Sequence, residues 1–490
     1  MPNRLVWASS VSRVSNPVKV LILWVGLALT RAGLIDRHRA RRITDLAWPR
    51  VVTGIARMSK NAVDVAMVGI AAGSGAIAGV GFAGSYWGLA FAVGGGVAGG
   101  TIALVSQSFG ADADGELGRA VRSSALLVVV LTLPVTAGLW AFSTGLLDLI
   151  SNDPEAIELG SRYLRVVSVG VPFAALNLIG SRTLVGADDA YTAMLARAGG
   201  AAVNVGINAV LIFGLDMGVV GAAIGTVLSN VVVAATFATG LVFGRAPVVG
   251  AFPVTVSPTG RYLDGGMVRQ LVSIGLPVMG RNLAWRLADF PLLAIVDVFG
   301  QNTAAAYVIA RRIWGIMNTP GWGFGLASSS LVGQELGDGD ERTAEAYGRE
   351  IVRFAVAVYA VSAVLIFLFA EPIVLAFVDD PTTSTVPIAV SLVYAACVAT
   401  VLQGVSKGAA GPLDASGDTR WPFYSQAIGM FAFSIPLAYL GAITSLGLWG
   451  LYLAFVAETA VPAVINYHRF ATGKWKVISR SYGPQGTPGD

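Results

Sequence analysis

Three ionisable residues, Arg57, Lys60 and Asp64, lie inside an apolar run, Ile55-Ala-Arg-Met-Ser-Lys-Asn-Ala-Val-Asp-Val-Ala-Met-Val-Gly69. An ionisable side chain at a bilayer centre costs about 3 kcal/mol on insertion scales, so its presence calls for a partner or a function. Lys60 and Asp64 are four residues apart, on one face of a helix, where opposite charges meet. Two chemistries are open to such a carboxylate. It can take up and release a proton or a hard monovalent cation, with Lys60 as a partner in the cycle, or it can simply be neutralised by Lys60. A second intramembrane pair, Arg286 and Asp289, has i,i+3 spacing with Asp297 two turns on. It reads first as structural, with a role in a substrate cavity as the alternative.

Polar residues elsewhere fall at a similar depth. Asp64 lies about 22 Å beyond Pro49 at 1.5 Å per residue, in the outer half of the first apolar segment. Asn204 and Asn208 sit late in the fifth segment, which runs the same way, and are four apart on one face. Thr226 is early in the sixth, which returns. One carboxylate, two amides and a hydroxyl at one level form an oxygen set suited to Na⁺, with a proton on Asp64 as the other option. Amides and hydroxyls also hydrogen-bond between membrane helices at about 0.6 kcal/mol each with no further role, and Asn177 in the fourth segment is read mainly that way, with a cavity role as the alternative. Tyr86, Trp87, Phe91, Trp314 and Trp322 are candidates for an aromatic cavity, although at helical spacing membrane packing is the first reading.

The elements that position these groups follow from composition. The 490 residues are 55% hydrophobic and 13% charged, with 60 glycines, and the mean hydropathy is +0.69. Sparse charge with abundant small residues marks a polytopic helical membrane protein. Twelve apolar segments are expected at 48–71, 78–107, 119–142, 160–181, 190–213, 218–243, 269–299, 303–332, 347–370, 385–409, 421–442 and 447–468, most of them long enough to cross a ~30 Å hydrocarbon core. The expected organisation is an N-terminal cytoplasmic or interfacial segment (1–47), a first lobe of six spans (48–243), a cytoplasmic linker (244–268), a second lobe (269–470) and a cytoplasmic tail (471–490). Val18–Leu29 is too short to span and is expected as an interfacial or loosely packed helix.

Basic residues concentrate in alternate loops, from Arg37–Arg50 through Arg182, Arg197 and Arg245 to Arg480, while Asp148, Asp153, Glu155, Asp216, Glu371, Asp379 and Asp380 mark the opposite side. The positive-inside rule then places both termini in the cytoplasm of a cell whose inner or plasma membrane holds the chain. This distribution accounts for the net charge of +4 without nucleic acid. The lone Cys397 excludes an intrachain disulfide, and His38 and His468, the only histidines, flank the membrane part, which leaves no His-based metal or triad site. No phosphate-loop motif occurs. Gly79-Val-Gly-Phe-Ala-Gly84 opens no βαβ unit and is read as helix packing.

The chain repeats itself. Leu104-Val-Ser-Gln-Ser-Phe-Gly110 recurs as Leu331-Val-Gly-Gln-Glu-Leu-Gly337, Trp87-Gly88 as Trp314-Gly315, Pro49 as Pro277, Leu184…Asp189 as Leu413…Asp418, and Gly218-x-x-Gly221 as Gly447-x-x-Gly450, all at offsets of 227–229. Six spans per half is an even number, so the halves are parallel repeats about an axis along the membrane normal, with a substrate site between two bundles. The expected fold class is thus all-α, with twelve transmembrane helices in two six-helix bundles. Pro291 stands at the repeat equivalent of Asp64, so ion coupling is expected mainly in the first half.

These elements resemble the multidrug and toxic compound extrusion (MATE) family. The resemblance rests on Val63–Gly69, Leu104–Gly110, Leu331–Gly337, Leu413-Asp-Ala-Ser-Gly-Asp-Thr-Arg420, and Asn204-Val-Gly-Ile-Asn208-x-x-Leu-Ile-Phe-Gly214 followed by Gly218-Val-Val-Gly-Ala-Ala-Ile-Gly-Thr226, and spans about Ile43 to Phe470. It implies a secondary antiporter, not an enzyme, that exports organic cations or other amphipathic compounds by alternating access in exchange for Na⁺ or H⁺. It needs no other cofactor and works among membrane lipids, as an expected monomer. The acidic first-helix residue of prokaryotic members matches Asp64, and an archaeal branch completes the site with groups that map to Asn204, Asn208 and Thr226. That branch has a carboxylate where this chain has Asn208. The acidic seventh-helix position of another branch is Trp285 here, and Arg57 and Lys60 beside Asp64 depart from the family pattern. The alternatives are a lipid-linked saccharide flippase of the same superfamily, which would call for Lys60, Arg57, Arg281, Arg286 and Lys407 to converge on a cationic cleft, and a membrane scaffold without transport.

Overall fold

A backbone crossing hydrocarbon must satisfy its own N–H and C=O groups, so apolar runs of this length become helices. The computed structural model describes residues 16–378 and 381–482; Asp379, Asp380 and the outermost parts of the two terminal segments lie outside them. The helices are α1 (Pro17–Arg31), α2 (Arg37–Gly110), α3 (Asp114–Ala141), α4 (Ser143–Asp148), α5 (Pro154–Ser168), α6 (Val171–Gly186), α7 (Ala190–Ala209), α8 (Gly218–Phe243), α9 (Gly265–Asp297), α10 (Gln301–Met317), α11 (Thr319–Gly337), α12 (Glu341–Leu368), α13 (Ala370–Leu375), α14 (Thr385–Ala415), α15 (Arg420–Ala427), α16 (Ile435–Ile443), α17 (Leu448–Ala471) and α18 (Lys474–Ser479). Wider helical turns at Val210–Gly214 and Ile428–Ser434 continue α7 and join α15 to α16.

Among the described residues eight helices are each apolar and long enough to cross a membrane, or nine if α5 and α6, bent by 51°, form one span. The 74-residue α2 is one of the eight, and it breaks at Gly73 (φ 78, ψ −170). That left-handed φ suits only glycine, and it turns the chain from the first span into the second. The seventh span, α9, holds Arg281, Arg286 and Asp289 along its length, and the eighth is divided between α10 and α11. The break between α10 and α11 falls at Asn318, just before Pro320. Its carbonyl accepts from Gly321 N at 3.2 Å and from Tyr359 Oη at 3.1 Å, and its side-chain oxygen accepts from Gln403 Nε2 at 3.2 Å. The result is twelve spans in two six-helix bundles.

The internal repeat has a physical meaning at one end of the molecule. Gln107 Nε2 donates to the Ala415 carbonyl at 2.6 Å, and its repeat partner Gln334 donates to the Gly186 carbonyl at 3.2 Å. A Cβ on Gly110 would lie 1.9 Å from the Gln334 carbonyl, and one on Gly337 would lie 1.9 Å from that of Gln107. Only glycine permits this reciprocal backbone approach, which seals the bundles together. Ion pairs across the same end reinforce the seal, Arg39 to Glu350 at 2.6 Å and Arg42 to Glu335 at 3.5 Å. Both described chain ends lie here, since Lys19 pairs with Asp45 and Tyr482 Oη meets Ser273 Oγ.

Three expectations need adjustment. The first span's helix begins at Arg37, well before residue 48. The N-terminal apolar run is a packed helix rather than a loose one, with Gly26 of α1 against the ring of Phe354. The linker holds a two-residue hairpin, Arg245–Ala246 with Gly250–Ala251, the single strand pairing among the described residues. Gly79 packs against the Ala156 carbonyl and the Gly160 backbone, as expected for a small-residue contact.

Candidate functional site

Lys60 and Asp64 project from the first span one turn apart, and Lys60 Nζ donates to Asp64 Oδ2 at 2.5 Å. The other carboxylate oxygen, Oδ1, accepts from Asn208 Nδ2 at 2.9 Å. From there a chain of polar groups runs through the first bundle. Asn208 Nδ2 also reaches Asn204 Oδ1 at 3.4 Å, and Asn204 Nδ2 lies 3.4 Å from Thr226 Oγ1 and 3.3 Å from Ser229 Oγ. Asn204 and Asn208 are 0% exposed. The structure therefore brings together the four groups that helical depth placed at one level, and adds Ser229, one turn along α8 from Thr226. Tyr163 of α5 lies within electrostatic reach of Asp64 and against Thr226.

One atom in this cluster has no hydrogen-bond partner. Asn208 Oδ1 is buried and unpartnered among the described residues, and it points at Gly225, where a Cβ would lie 1.9 Å away. An unmet buried acceptor costs about 1–3 kcal/mol. Here it stands beside a carboxylate, a hydroxyl and a second amide oxygen. This oxygen set fits a hard monovalent cation, and Lys60 already supplies one positive charge to the same carboxylate. Among the described residues no group of three or more His, Cys, Asp or Glu side chains converges on a metal position.

Beside this cluster, and sharing Lys60, Thr226 and Ser229 with it, is a cavity of about 380 Å³. Trp87 and Phe91 line one side, while Asn177 and Asn230 form a polar wall in which Asn177 Nδ2 donates to Asn230 Oδ1 at 3.0 Å. Four basic side chains, Arg57, Lys60, Arg197 and Arg286, reach the lining, and no carboxylate does. Arg286 comes from α9 of the second bundle, and the rest of the lining from the first. Arg197 was assigned to a loop from the sequence. It lies two turns inside α7 and faces the cavity.

The i,i+3 pair expected between Arg286 and Asp289 does not form. Asp289 Oδ1 accepts instead from Arg311 Nη2 of α10 at 2.6 Å, and Asp289 does not line the cavity. Arg311 also donates to Glu458 of α17 at 2.8 Å, and Trp285 Nε1 donates to the same carboxylate at 3.4 Å. Trp285, Tyr307, Trp314 and Phe455 surround the Arg311 guanidinium at 5.0–5.9 Å from their ring centroids. This second buried charge cluster escaped the sequence reading. The Arg311-Arg312 pair in the eighth span and a lone glutamate in the twelfth were its signal. Arg281 and Lys407, two candidates for a cationic cleft, also lie off the cavity; Arg281 pairs with Asp414 at 3.0 Å. Trp314 stacks on Trp285, and Tyr86 Oη donates to the Leu146 carbonyl, so neither belongs to an aromatic cavity.

Comparison with known proteins gives this geometry a family. The MatE family model matches twice, over residues 49–210 and 277–440, with starts at Pro49 and Pro277, the pair already linked by the repeat. The multidrug resistance protein NorM of Burkholderia vietnamiensis is 27% identical, over 90% of this chain and 96% of its own. The multidrug resistance protein PmpM of Pseudomonas aeruginosa is also 27% identical, over 91% of this chain and 94% of its own. A MOP superfamily transporter from Pyrococcus furiosus shares the fold with a TM-score of 0.81 at 23% identity, over 89% of this chain and 96% of that one. The chain belongs to the MatE family of multi-pass membrane transporters, whose multidrug members act on small molecules and are ion-coupled.

Proposed function

We propose that this protein is a secondary active antiporter that exports amphipathic small molecules by alternating access, in exchange for Na⁺ or H⁺ bound at Asp64. In this reading Asn204, Asn208 and Thr226 complete the ion site, and Lys60 is the tethered cation that holds Asp64 when the ion is absent. The observation that carries it is the polar chain from Lys60 through Asp64 and Asn208 to Ser229, which holds an unpartnered acceptor at Asn208 Oδ1 and borders the cavity. A ligand shifts a two-state equilibrium only through differential affinity, and exchanging Lys60 for an external ion at Asp64 supplies it. The two lobes, 48–243 and 269–470, would rock about the glycine seam. Positive-inside bias supports a cell inner or plasma membrane location with the seam and both termini in the cytoplasm.

Of the two expected substrate types, the amphipathic one is retained. A lining with four basic groups and no carboxylate offers an organic cation no counter-charge, only ring faces and amide oxygens. That lining also favours a second reading, a flippase for lipid-linked saccharides, whose phosphates would meet the arginines. The Pyrococcus furiosus transporter is itself described by a reverse polarity of its binding pocket that suggests a different function. Proteoliposomes carrying the protein, given separate Na⁺ and pH gradients, test the first reading. Substrate movement driven by one of the two is expected, and movement indifferent to both would overturn it.

A further inference from the structure

We infer that the cavity binds the anionic group of an amphipathic compound, gripped by Arg57, Arg197 and Arg286 against the apolar wall of Trp87 and Phe91. The inference deepens the transport reading and rests on it for the cavity's purpose, but it concerns binding alone. Lys60 is already matched by Asp64. The three arginines have no carboxylate partner among the described residues. Arg57 has only a ring, with its guanidinium 4.9 Å from the Trp322 centroid.

Behind them the imbalance grows. Arg50 and Arg182 lie within electrostatic reach of Arg197, and Arg50 is also within reach of Arg57. Arg50 Nε, Arg182 Nη1 and Arg197 Nη1 are buried donors without an acceptor. Like charges gathered in a low-dielectric setting repel, and buried N–H groups are rarely left unmet. A single anion entering the cavity would offset the repulsion and offer an acceptor to Arg197, the one of these three donors that lines it. Guanidinium forks match the planar or tetrahedral oxygens of carboxylate, sulfonate and phosphate.

The placement of Arg286 is built into the backbone. A Cβ on Gly88 would lie 2.9 Å from its Nη1, so glycine at 88 opens the space through which the second bundle delivers its charge to a cavity otherwise lined by the first. The volume, about 380 Å³, suits a compact ligand, since small-molecule pockets run from about 300 to 1,000 Å³. The same chemistry has two sources, a free organic anion and the phosphate of a lipid-linked compound.

The test is equilibrium binding to the full-length protein in nanodiscs of zwitterionic lipid, without any ion gradient. Three radiolabelled probes are compared: p-aminohippurate (an aryl carboxylate), a polyprenyl diphosphate, and the lipophilic cation tetraphenylphosphonium. At least one anion is expected to bind about tenfold or more tighter than the cation. That binding should fall at least fivefold in Arg57→Gln and in Arg286→Gln and be largely kept in Arg286→Lys. Added sulfate should compete in the unmutated chain, a readout that does not depend on any variant folding. Binding of aminohippurate assigns a soluble source, and binding of the diphosphate alone assigns a lipid. The inference is overturned if tetraphenylphosphonium binds as tightly as both anions. It is equally overturned if sulfate fails to compete, or if both glutamine variants, melting as the unmutated chain does, bind the anion unchanged. Intact anion binding with no gradient-driven transport would instead sink the coupling reading and leave this one standing.

Discussion

Asp64 and Glu458 are both carboxylates inside membrane-spanning helices, and each meets a basic side chain, at 2.5 Å from Lys60 and 2.8 Å from Arg311. Their surroundings differ. Asp64 has one flexible ammonium, small amides and hydroxyls, an unmet acceptor beside it, and a cavity within one helical turn. Glu458 is 3% exposed and shares a planar guanidinium with Asp289, under four aromatic rings. A lysine on a four-carbon stem releases its partner readily, whereas an arginine fork held by two carboxylates and stacked rings does not. Under the proposed function, the same rule, a charge inside the membrane, would yield an exchangeable site in one bundle and a fixed cross-brace in the other.

The largest effect should come from breaking the brace. Arg311→Gln leaves the buried Glu458 and the half-buried Asp289 without their cation, and losing one partner of a buried pair costs about 3–5 kcal/mol. Thermal unfolding in detergent should show it. Replacing Arg311, Asp289 and Glu458 together with Met or Leu should recover most of that loss, because well-packed apolar groups are often as stable as the ion pairs they replace. If the single variant unfolds like the unmutated chain, the second cluster is no brace.

Next is Lys60→Gln, which sharpens the contrast from the other side. Without its tethered competitor, Asp64 should take up the coupling ion more readily. Loss of a charge-assisted pair of about 1.5 kcal/mol lowers the half-saturating ion concentration roughly tenfold. A rise in that concentration would mean that Lys60 helps to hold the ion. The smallest effect is expected for Asn208→Ala, which removes the unmet oxygen and the bond to Asp64 Oδ1. About 1 kcal/mol corresponds to a roughly fivefold weaker ion response, read in the same titration, with melting little changed.

Much of this was legible in the sequence because it depends on one helix at a time. Apolar run lengths gave the twelve spans, and residue rise gave the common depth of Asp64, Asn204, Asn208 and Thr226. Fixed-offset matches made Gln107 and Gln334 repeat equivalents, but not the carbonyls to which they donate. What stayed hidden depends on rotation between helices. Spacing allows Arg286 to meet Asp289, yet Arg311 on the next span outcompetes it, since it satisfies Glu458 as well. Arg197 read as a loop charge because it was grouped with the basic loop residues, although it lies inside the expected 190–213 segment, whose helix does start at Ala190. The convergence of three unpaired arginines on one cavity could not be read from any single segment.

The central claim, that Asp64 rather than Glu458 couples ions to transport, is tested most directly by Asp64→Asn beside the Arg311, Asp289 and Glu458 triple apolar replacement. Both would be measured as gradient-driven substrate movement in proteoliposomes. The account predicts that Asp64→Asn loses the response to the driving ion by at least about tenfold, equivalent to 1.4 kcal/mol or more, while its melting temperature stays near that of the unmutated chain. The triple variant should keep the ion response. Full gradient-driven movement by Asp64→Asn, or its loss in a well-folded triple variant alone, would contradict it.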